Sequence, residues 1–83
     1  MTGADLLRAT VAILEVAGHP ARPGLAGMVV VGGTPVIRVQ SGRLILIATG
    51  TARARTVEPH EEPEQIAAEV LRRVGASLPI IAA

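Results

Sequence analysis

The chain has 83 residues, 49% of them hydrophobic, with eight basic and seven acidic residues and a formal charge of +1 at pH 7. It contains no cysteine and no Phe, Tyr or Trp, and every basic residue is arginine. These counts exclude disulfides and thiolate metal sites, aromatic platforms for stacking bases, and a general electrostatic attraction to nucleic acid.

The first predicted element is a helix over residues 3–17. Thr2 is placed to cap it, with Asp5 three residues on to complete the exchange and complement the dipole. Leu6, Leu7, Thr10, Val11, Ile13, Leu14 and Ala17 fall on one broad arc, and only Arg8 and Glu15 mark a polar line. So narrow a polar stripe predicts a helix covered on more than one side. Gly18 and His19-Pro20 end it.

Residues 21–27 read as a Pro- and Gly-rich connector. A short β-branched strand, Met28 to Val31, follows and closes on Gly32-Gly33-Thr34-Pro35. Strands over Val36–Gln40 and Arg43–Thr49 then meet across Ser41-Gly42, a spacing that suits a primed hairpin turn with Gly42 at positive φ. That register sets Gln40 against Arg43, Val39 against Leu44, Arg38 against Ile45, Ile37 against Leu46 and Val36 against Ile47. One face then carries Ile37, Val39, Leu44, Leu46 and Ala48 and should receive the helices. The other carries Val36, Arg38, Ile45 and Ile47.

Residues 52–57 alternate small and basic and predict a fourth strand. A three-residue turn would place Ala52, Ala54 and Thr56 toward the core, and Arg53 and Arg55 on the other face. A two-residue turn would aim both arginines into the core, at a cost of several kcal/mol per unpaired ion. The odd-length turn is therefore expected. The last helix opens on Glu61, Glu62 and Glu64 with Pro63 at its first position and closes on Arg72 and Arg73. Glu69 and Arg73 form an i,i+4 pair. Ile66, Val70 and Val74, with Ala67 and Leu71 beside them, make its buried stripe, and Gly75 ends it. The apolar tail, residues 76–83, suits an edge strand or a groove on this or another subunit.

The expected fold is thus one α+β domain over residues 1–83. An N-terminal helix, an antiparallel meander of three to four strands and a C-terminal helix follow in order, with both helices on one sheet face. A chain this short buries roughly 60–65% of its unfolded surface. Its core must come from Leu, Ile, Val, Met and Ala alone. The mean hydropathy of +0.48 is high for such a size and points to apolar surface in contact with another chain. The stretch from Leu6 to Ala17 is too short and too charged for a membrane span or leader. A reducing cytoplasm is the expected setting.

Chemistry-bearing constellations are sparse. His19 and His60 each stand beside proline in a connector, with no carboxylate–histidine–nucleophile spacing around them. His60 with Glu58, Glu61 and Glu62 has no second histidine at ligand spacing, and reads as a helix N-terminus rather than a metal site. Val29 to Pro35 reads as a Gly-rich turn rather than a phosphate loop. The clearest signal is the predicted gathering of Arg38, Arg53 and Arg55 around Val36, Ile45 and Ile47.

The helix–β–β–β–helix order resembles double-stranded RNA-binding domains and the small toxins of that shape. The resemblance is one of topology and implies a duplex-binding surface at the start of the last helix. Here that stretch, His60 to Glu64, is acidic and would repel phosphate. The expectation is therefore a non-catalytic interaction or assembly module, without cofactor, metal or membrane. It self-associates or docks on a larger protein through the Arg/aliphatic face, with anion or nucleic-acid binding by the arginines as the alternative.

Overall fold

A computed structural model describes residues 2–50 and 52–75. The tail proposed as an edge strand lies outside the described residues. The rest forms helix α1 (Gly3–Val16), strands β1 (Ala21–Pro23), β2 (Met28–Val31), β3 (Thr34–Gln40), β4 (Arg43–Leu46) and β5 (Arg55–Thr56), and helix α2 (Pro63–Arg73). The described strands form one antiparallel meander in the order β1-β2-β3-β4-β5. The architecture is the expected α+β arrangement with one additional strand. Ala21–Pro23, expected to be connector, pairs with β2, where Pro23 is tolerated because β1 is an edge. A 3₁₀ turn, Leu25–Gly27, links the two.

The helix ends follow from local chemistry. The Thr2 hydroxyl accepts from the Asp5 N–H at 3.2 Å, and the Asp5 carboxylate accepts from the Thr2 N–H at 3.4 Å. These bonds hold the Asp5 carboxyl below its ordinary pKa. At the other end His19 N–H donates to the Leu14 carbonyl at 2.8 Å and Gly18 N–H to Glu15 at 3.0 Å, with Gly18 at φ +85°. That pair is a Schellman cap. Pro63 begins α2, Glu64 lies in its first turn and Arg72 and Arg73 in its last.

Both helices pack on one face of the sheet around a single core. Leu6 and Leu14 of α1, Ile37, Leu44 and Leu46 of the sheet, and Ile66, Val70 and Leu71 of α2 are almost wholly buried in it. Thr10 is buried too, its hydroxyl donating to the Leu6 carbonyl at 2.8 Å. The first turn of α1 abuts the β3–β4 hairpin closely: a Cβ on Gly3 would overlap the Gly42 carbonyl oxygen. The broad coverage expected of α1 is not found among the described residues, since Val16 is 92% exposed and Ala12 is also at the surface.

The β3–β4 register is the expected one, with Ile37 opposite Leu46, Arg38 opposite Ile45, Val39 opposite Leu44 and Gln40 opposite Arg43. Ser41 and Gly42 sit at φ +52° and +74°, the signature of a type I′ turn. Gly32 and Gly33 turn β2 into β3 in the same way, at φ +60° and +79°. Two placements differ from expectation. Val29 faces Ile37 while Val30 faces Pro35, so Val36 is an extra residue in a β-bulge. Val36 is fully buried in the core rather than lying on the opposite face.

The second correction concerns β5. Thr49 bridges Ala52 directly, with N–H to carbonyl distances of 3.1 and 2.8 Å, so only two residues separate them. Arg55 consequently faces Leu46, Thr56 faces Ile45, and Val57 N–H donates to the Leu44 carbonyl at 2.8 Å. The even-length turn has been used, and Arg55 lies on the helix side of the sheet. Val39, at the hairpin end of the core-facing row, is exposed, and Ala48, expected in that row, lines the opposite face beyond the end of β4.

Candidate interaction face

The expected cost of turning an arginine toward the core is avoided because Arg55 arrives with partners. Its Nη1 donates to Glu61 Oε2 at 2.7 Å and its Nη2 to Glu61 Oε1 at 2.9 Å, a bidentate pair. Nη2 also reaches Glu69 Oε1 at 2.6 Å, and Nε reaches Glu69 Oε2 at 3.3 Å. Glu69 in turn accepts from Arg73 Nη2 at 2.9 Å and Nε at 3.1 Å. Arg73 Nη1 donates to the Ile47 carbonyl at 3.0 Å. The Arg73 side chain is only 7% exposed. Two arginines and two carboxylates thus close a neutral network that fastens β5 and the end of β4 to α2.

The network shifts its members as opposite charges must. Hydrogen bonds from Arg55 hold Glu61 below the ordinary glutamate pKa, helped by the Glu58 N–H at 2.6 Å. Arg55 and then Arg73 do the same for Glu69, against partial burial. The two carboxylates raise Arg55 further above its usual value. Glu61 therefore serves Arg55 as well as the N-terminal region of α2, a role that the helix-dipole pattern alone did not reveal.

The opposite face of the sheet is covered by neither helix. Met28, Arg38 and Ile45 lie side by side across β2, β3 and β4, and with Ile47, Ala48 and Ala54 they line a shallow apolar depression. Arg38 is exposed, while Met28, Ile45 and Ile47 are half-buried. Among the described residues Arg38 makes no ion pair.

Of the residues expected to share this surface, Arg38, Ile45 and Ile47 come together. Val36 is taken into the core by the bulge, and Arg55 is taken to the other face by the two-residue turn. Arg53 is exposed just outside β5 and two residues from Arg55, hence on the same side by alternation and apart from Arg38. Met28, Ala48 and Ala54 join the surface unexpectedly. The bulge brings Met28 opposite Arg38, and the shifted turn brings Ala54 to this side. Pro35 was the available signal for the bulge, because proline inside a strand is confined to edges and bulges.

Among the described residues no group of His, Asp and Glu is arranged to hold a metal, and no helix is long and apolar enough to cross a membrane. No protein-family model matches the chain, and comparison with curated proteins and with solved structures yields no significant match.

Proposed function

We propose that this chain is a small non-catalytic interaction module of a reducing, cytoplasmic setting. It self-associates or docks on a larger protein through the bare sheet face. One observation carries the reading: Arg38, without a carboxylate partner among the described residues, stands among half-buried Met28, Ile45 and Ile47 on a face that no described element covers. Arginine set in aliphatic surface is the composition of contact surfaces, where charge at the core is otherwise depleted. The histidines support the non-catalytic part, because His19 and His60 occupy separate connectors at opposite ends of the sheet order, before β1 and after β5.

Light scattering on the purified chain tests this reading. The expected mass exceeds that of one chain and falls to it in the Ile45→Glu and Arg38→Glu variants, with little loss of stability. A wild-type mass of one chain, with neither variant altering mass or binding, would refute it.

A second reading has its own support. Between Val16 and Val57 the chain has five arginines and no carboxylate, so the sheet could engage a polyanion through Arg22, Arg38 and Arg43. Binding of duplex RNA would then weaken steeply with added salt. No retention of RNA at about 50 mM salt would dispose of it.

A further inference from the structure

The distribution of charge between the two layers carries the interaction reading one step further. All seven carboxylates lie outside residues 16–57. They sit on α1, on α2 or in the connector leading into α2. Glu61 and Glu69 are consumed by Arg55 and Arg73, which leaves Asp5, Glu15, Glu62 and Glu64 exposed on the helix side, while exposed Glu58 shares a cleft with Arg43. The exposed arginines of that side are Arg8, Arg53 and Arg72. On the bare sheet face the balance is one-sided. Ala21 and Leu44 face the core, so Arg22 and Arg43 lie with Arg38 on the bare side, and there is no acidic residue in any strand. The free carboxylates are thus concentrated over the helices, and the bare sheet around Arg22 and Arg38 is basic.

We infer that the bare sheet face receives the carboxylate-bearing helix layer of a second copy, head to tail. This rests on the proposed self-association and specifies its geometry. A two-fold contact through the same face would set Arg38 and Arg22 of one copy against the same residues of the other, and like charges across a contact are unfavourable. Stacking the sheet of one copy on the helices of the next sets Arg38 and Arg22 against carboxylates such as Glu62, Glu64 and Glu15. It also supplies an apolar counterpart, since Ala12 and Val16 of α1 are exposed on that layer. Such a contact is heterologous, so a pair of copies keeps one free sheet face and one free helix layer, and assemblies grow or close into rings.

A mixing experiment separates this geometry from its rivals. One variant, Arg38→Gln with Ile45→Gln, disables the sheet face; the other, Glu62→Arg with Glu64→Arg, disables the helix layer. Circular dichroism and thermal melts check that each is folded. For the head-to-tail contact, each variant alone has the mass of one chain by light scattering, and an equimolar mixture gives a two-chain species and nothing larger. A helix-layer variant that still self-associates, or a mixture that yields no two-chain species, overturns the head-to-tail contact and leaves self-association through another pairing standing. A wild-type chain that stays at the mass of one chain overturns both. Assembly that appears only with added duplex RNA assigns the basic face to phosphate instead.

Discussion

The two faces of the sheet use the same kinds of residue to opposite ends. On the helix side, Leu44, Leu46 and Val57 are buried, and the one arginine among them, Arg55, is held by two carboxylates. On the bare side, Ile45 and Ile47 are half-buried and Arg38 has no such partner among the described residues. The difference teaches that neither hydrophobicity nor charge alone assigns a residue of this sheet to a face. Arg55 goes inward because Glu61 and Glu69 meet it. Arg38 stays outward, where every neighbouring strand lacks acid. The helix side is packed and neutralised, and the bare side is left uncovered by the described elements.

Neighbouring residues on opposite faces provide the sharpest break of that comparison. Leu46→Ala should cost about 2–5 kcal/mol in urea unfolding, as wholly buried leucines do. Ile45→Ala next to it should cost about 1 kcal/mol, well below the 1.5–3 kcal/mol of a fully buried side chain. The arginine networks come next. Glu69→Ala strips two arginines of a carboxylate and leaves the nearly buried Arg73 with only the Ile47 carbonyl, so a loss of about 2–3 kcal/mol is expected. Arg38→Ala should stay within about 0.5 kcal/mol, as ordinary surface changes do.

Acid sharpens the same contrast. Glu61 and Glu69 have folded-state pKa values below those of the unfolded chain, so the unfolded state binds more protons and stability rises with pH. Their contribution is fully present above the ordinary glutamate value of about 4.3 and is lost as pH falls through the lower folded values. Denaturant midpoints measured from pH 7 down to 3 should therefore drop below pH 4.5 or so, and Arg55→Gln should flatten the drop while Arg38→Gln leaves it intact. Smallest of all, Ser41→Asn should stabilise the type I′ turn by a few tenths of a kcal/mol, because asparagine tolerates the positive φ that Ser41 adopts. It touches neither face and should leave the oligomeric mass unchanged.

Much of this arrangement is readable in the chain itself, and the exceptions share a cause. Thr2 and Asp5, Gly18, Pro63 and the Ser41-Gly42 pair announce helix ends and a hairpin because each acts on its own backbone within a few residues. The β3–β4 register follows from that turn. Register beyond it depends on features of a single residue: one extra residue at Val36 and one fewer in the turn after Thr49. Either change exchanges inside for outside. Pro35 marked the first. The second was hidden because a charge was weighed without its partners, which come from α2 and the connector before it. Of the candidate surface, Arg38, Ile45 and Ile47 follow from the hairpin alone, whereas Met28 and Ala54 depend on the bulge and the turn. β1 escaped notice because its three residues contain a proline and draw their pairing from β2.

A concentration series followed by NMR tests most directly whether the bare face makes the contact. The account predicts concentration-dependent shifts at Met28, Arg38, Ile45 and Ile47, with Ile37 and Leu46 on the reverse of the same strands unmoved. Spectra that do not change with concentration, or changes that spare β3 and β4, would contradict it.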